Sequence, residues 1–162
     1  MPEQKQYTQD QAHRFFAVEF NNTIFGLAEK ESLTEEEKER IIQLGHAALL
    51  HWQKFSGSKI VNTQRGFYMI AKAYVVAGEK ENALKYAKMC FKTTFENESE
   101  MADFDIGYAY EMMARTAAMN SNRTEFEKYY KLALAQKENI SKEGDLKYYV
   151  LDLEGGNWFG II

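Results

Sequence analysis

The chain is 162 residues long, 45% hydrophobic and 27% charged, which suits one domain with a real core and is too apolar for a disordered segment. Its 24 acidic and 20 basic side chains leave a net charge of −4; with no Lys/Arg run, this argues against nucleic acid or an anionic membrane as the main partner. A single cysteine, Cys90, excludes an internal disulfide and a cysteine-based zinc cluster.

At the amino terminus, MPEQKQYTQDQ lacks the basic and apolar regions of a secretory signal. No apolar run reaches membrane-spanning length, so the chain reads as cytoplasmic. Apolar residues then recur three and four apart in most segments, which predicts an all-α fold. A first helix is expected from about Gln9 to Lys30, with Phe15, Phe16, Val18, Phe20, Ile24 and Leu27 as its apolar surface. In SLTEEEKER, Thr34 can cap a second helix while Glu37 returns the bond, and Glu35 and Glu36 suit the positive end of the helix dipole. That helix is expected to stop after Lys54, in Ser56 to Ser58. A third helix from Val61 to Ala77 ends at Gly78, and a fourth runs from Lys80 to Thr93. The acidic stretch Glu96 to Asp103 reads as a solvated connection. A fifth helix covers Phe104 to Met119, a sixth Thr124 to Gln136, and a short seventh Lys142 to Leu153 before the tail GGNWFGII. The short connections predict antiparallel hairpins.

One stretch has a more specific pattern. In GFYMIAKAYVVAGEKENALKYAKMCF, Phe67 is the bulky residue, Ile70 the large apolar one, Ala71 the small one and Tyr74 the aromatic. Gly78 turns the chain and Ala83 allows close helix contact. This segment resembles a tetratricopeptide repeat along nearly a whole unit, although Ala87 stands where an aromatic is usual and Cys90 where alanine is. A degenerate second unit has Tyr110, Met113, Ala114, Tyr130 and Ala133 in the same register, with Ala117 and Phe126 as departures. The step from Tyr74 to Ala117 is 43 residues, against a usual repeat of about 34. The first pair of helices keeps the hairpin shape but matches the pattern poorly. Around HAALLHW, NTQRGFYMIAKAY and DFDIGYAYEMMAR the whole chain is similar to a group of uncharacterised bacterial hypothetical proteins. These resemblances imply stacked antiparallel hairpins in a right-handed array of about three pairs, a single domain over residues 1–162, and a groove for a protein or peptide partner. They imply no activity.

Candidate site residues follow from chemistry and spacing. His46 and His51, in HAALLHW, lie five residues apart, which places them some 140° apart around a helix and makes shared metal ligation difficult. Each reads either as a hydrogen-bonded packing residue or as part of a site completed by His13, Asn62, Arg65, Asp103, Asp105 or Glu111. Arg65 can grip an anion with its planar fork, or be neutralised internally by Asp105 or Glu111. Tyr68 and Lys72 join Asn62 and Arg65 as candidate groove residues. No phosphate loop, nucleophile elbow or metal motif occurs, and Cys90 sits at a packing position. Phe15, Phe67, Tyr74, Tyr108, Tyr110 and Tyr130 read mainly as core.

The tail, residues 154–162, exposes Trp158 and Phe159 unless it docks on its own array or on a partner. The leading expectation is a non-catalytic protein- or peptide-binding scaffold needing no cofactor or metal. The alternative is a small-molecule or metal-dependent enzyme with a dispersed His/Arg/Asp/Glu site. A homodimer is a further expectation, because symmetric dimers are the commonest soluble oligomers.

Overall fold

Two helices open on the same device. Thr8 precedes α1 (Gln9–Ala28) and Thr34 precedes α2 (Glu35–Lys54). Each threonine hydroxyl accepts a hydrogen bond from the backbone N–H three residues on, at 3.2 Å. Gln11 and Glu37 return the bond to the threonine N–H at 3.0 Å, so donors that a helix start leaves free are satisfied. In the computed structural model, which describes Met1 and residues 4–162, five further helices follow. They are α3 (Ile60–Ala77), α4 (Lys80–Glu96), α5 (Asp103–Met119), α6 (Arg123–Gln136) and α7 (Glu143–Glu154). The fold of the described residues is all-α.

Most helix ends fall within two residues of expectation, and the largest difference is at the end of α4. α4 runs on to Glu96 because the hydroxyls of Thr93 and Thr94 donate to the carbonyls of Met89 and Cys90, each at 2.8 Å, and Asn97 caps the end through Thr93 O. The acidic connection is then partly ordered as a single 3-10 turn at Glu98–Glu100. At the start of α5 the Asp105 carboxylate accepts the Ala102 N–H at 2.9 Å.

From α1 to α6 each helix packs on the next along the chain, and α1, α3, α5 and α7 also touch in succession, forming a continuous row. Small residues make this closeness possible. Ala71, Ala73, Ala83, Ala87, Ala109, Ala114 and Ala133 are fully buried among Ile24, Ile41, Ile70, Met112, Tyr149 and Leu153. At the α2–α3 crossing a methyl group on Gly66 would sit 2.6 Å from Leu49 Cδ1, so the two backbones approach more closely than a larger residue allows. Gly78, at φ 86°, ends α3 in the left-handed conformation.

The tail folds back on its own chain. Trp158 is buried, its indole N–H donates to Leu153 O at 3.2 Å, and its ring meets Phe126 and Tyr130 edge-on. Phe15, expected in the core, is instead exposed on the outer side of α1, because Ala17 and Ile24 form that helix's buried face. Among the described residues, no helix is long and apolar enough to cross a membrane.

A groove along the row of odd-numbered helices

The row α1, α3, α5, α7 lines a groove of about 650 Å³, and residues 155–157 of the tail contribute to its wall. Phe25, Val75, Val76, Met112 and Leu151 give it apolar walls. Glu29, Lys30 and Glu31 also line it, and Tyr68, Glu111 and Arg115 form a chain of contacts. Tyr68 on α3 donates its hydroxyl to Glu111 Oε2 on α5 at 3.2 Å. The other carboxylate oxygen of Glu111 pairs with Arg115, one helical turn further on. Arg115 then crosses to the C-terminal segment: Nη1 donates to Asn157 O at 3.0 Å, and Nη2 to Asp152 O at 2.9 Å and Gly155 O at 3.2 Å. Its guanidinium lies 4.0 Å from the centre of the Trp158 ring. Gly156 makes room for it, since a methyl there would sit 2.7 Å from Nη1 on a backbone already at φ 72°.

Beside this network the Tyr108 hydroxyl donates to Asp152 Oδ2 at 2.6 Å. Burial first, and then the nearby charges of Glu111 and Asp152, hold the Tyr68 hydroxyl well above the usual phenol range. Burial and the bond to Asp152 do the same to Tyr108. Both therefore remain protonated donors. Both oxygens of Glu111 and most donors of Arg115 are engaged within the protein, so these charges shape the groove and fasten the tail. Lys72 is differently placed: its ammonium lies 5.2 Å from the Phe25 ring centre and 5.9 Å from that of Tyr68, with no carboxylate in ion-pair range among the described residues.

Of the residues singled out from sequence, the groove gathers Tyr68, Lys72 and Glu111, and the others are dispersed. Asn62 caps α3, its Oδ1 accepting the Lys59 N–H at 2.8 Å. Arg65 is held by Asp105 in two-point fashion at 2.8 and 2.9 Å and lies over Phe104, so its fork is neutralised internally. Asp103 accepts the N–H and hydroxyl of Ser141, each at 2.9 Å. Trp158, read as a partner contact, is covered by its own helices, while Phe159 is half-buried beside it at φ 55°.

The histidines of HAALLHW face different neighbours. His46 Nε2 meets the Tyr74 hydroxyl at 3.1 Å and the Tyr86 ring edge-on. His51 Nδ1 lies 2.9 Å from Nδ1 of His13, between Phe16 and Phe20 of α1. Burial first, and then the charge of Lys85, lower the pKa of His46. Burial followed by His13 and Lys54 lowers that of His51. These contacts lie in separate helix seams. Among the described residues no three His, Cys, Asp or Glu side chains form a metal-binding group.

Sequence reasoning missed Arg115, Phe25 and Asp152. The spacing of Glu111 and Arg115 on one helix face was a visible signal. The carbonyls that complete the Arg115 site come from residues about forty positions away and left no local trace. No family model matches the chain, and neither the curated proteins nor the solved structures compared with it include a match.

Proposed function

We propose that this chain is a non-catalytic interaction module, a tetratricopeptide-like right-handed array that takes a protein segment or peptide in the groove along α1, α3, α5 and α7. The observation that carries this reading is the division of labour in the groove. Its deep charges are engaged within the protein, while an apolar wall, the Lys72 ammonium and the exposed carboxylates of Glu29 and Glu31 remain open to a ligand. Such a surface favours a segment with apolar side chains, an acidic group for Lys72 and a basic one for Glu29 or Glu31, held on a pre-ordered scaffold. A cytoplasmic setting and kinship with the bacterial group suggested by HAALLHW belong to the same reading.

The test is selection of short peptides from a random display library, followed by fluorescence anisotropy with the parent protein, Leu151→Asp, Lys72→Glu and the control Leu132→Asp. Leu151 and Leu132 are both exposed, but only Leu151 lines the groove. Selected peptides are expected to lose at least about tenfold in affinity on the two groove variants and to bind the control as they bind the parent. Equal binding to all four proteins, or failure to select any peptide, would overturn the reading.

A further inference from the structure

α1 stands at one end of the row of odd-numbered helices, and a cleft of about 1060 Å³ runs along its outer face. Among the residues lining it, Gln11, Phe15, Val18 and Asn22 follow at steps of four, three and four, and all are exposed. Phe15 and Val18 leave 43% and 38% of their surface open. Alternating four-three steps keep a stripe in line along a second helix wound about the first. The stripe is additional to whatever holds α1 in place, because the buried Ala17 and Ile24 face the other way.

Two charges flank the stripe on opposite sides. Arg14 immediately precedes Phe15 and Glu19 immediately follows Val18; both are exposed, and neither has an ion-pair partner among the described residues. We propose that a second copy of this chain covers this face, α1 lying parallel to its counterpart about a two-fold axis. In a parallel pair the position before one seam residue lies beside the position five residues further along the other helix. Arg14 of each copy therefore reaches Glu19 of the other, and the contact is made twice. An antiparallel pair would set each flank against its own counterpart and lose both contacts. Asn22, a polar residue in the seam, meets its counterpart and fixes the register. A single arginine and a single glutamate at the pairing step make the face complementary to itself, which favours a second copy over an unlike partner.

Sedimentation velocity and light scattering on the full chain across a micromolar concentration series test this. The parent is expected to show a dimer mass. Arg14→Glu and Glu19→Arg, each placing like charges across the seam, are expected to raise the dimer dissociation constant about tenfold or more. The double variant R14E/E19R restores the opposite pairs and is expected to return the constant toward the parent value. Circular dichroism of all four proteins checks that these exposed substitutions leave the helices intact. A monomer at every concentration would overturn the proposal, as would a dimer that ignores the single reversals or is not rescued by the double one.

Discussion

Arg115 joins a buried carboxylate, three backbone carbonyls and an indole face, and it does so with 8% of its surface exposed. Such a residue is costly to remove, since its partners stay buried without compensation. Replacing it by methionine leaves Glu111 with only the Tyr68 hydroxyl and strands the tail carbonyls. The expected loss is about 3–5 kcal/mol in urea unfolding. Adding Glu111→Leu removes the stranded carboxylate and is expected to recover part of that loss; a double variant no better than Arg115→Met would show that the tail carbonyls dominate. At this scale the sequence was partly legible. The Arg65 alternatives included the Asp105 pair that forms, but nothing in HAALLHW named His13 as the specific partner of His51, because that contact spans two helices.

The α1–α2 pair shows what such a contact does to an element. When His13 and His51 meet through their Nδ1 atoms, one ring donates and the other accepts, so the acceptor must be neutral at that nitrogen. The folded chain holds the His51 pKa below its ordinary 6.5, through burial first and then the charges of His13 and Lys54. An unfolded chain binds that proton more readily, so the contribution is fully present above about pH 6.5 and is lost as pH falls toward the lower folded value. His46, lowered by burial and Lys85, acts in the same direction. The urea midpoint is therefore expected to fall between about pH 8 and about pH 5.5, and His51→Gln to flatten part of that fall. An equal fall in the variant would remove His51 from the account. Helix positions were legible because caps and periodicity are local: Thr34 with Glu37 and the Gly78 stop stand where the pattern puts them. Phe15 was misread because α1 is apolar on two faces, and periodicity alone does not say which one meets the core.

For the whole molecule, the tail closes the end of the row opposite α1. Trp158 ties Leu153, Phe126, Tyr130 and Arg115 into one cluster, so losing it opens a large void where α5, α6 and α7 meet the tail. Deleting residues 155–162 is expected to lower unfolding stability by at least the cost of Trp158→Ala, about 3–5 kcal/mol. An unchanged urea midpoint after deletion would mean that the tail contributes nothing to the array. The sequence showed that so apolar a terminus needs cover, but the choice of its own helices over a partner is made by long-range packing that no local pattern encodes. Near the middle of the fold, Cys90 is completely buried against Gln64, and burial pushes its thiol up to about 12. At neutral pH the thiol therefore stays protonated, away from the reagents that attack a thiolate. In the native protein this thiol is silent toward oxidants and alkylating agents, and it keeps a record of time: the accumulated damage at Cys90 counts how often the centre has come open.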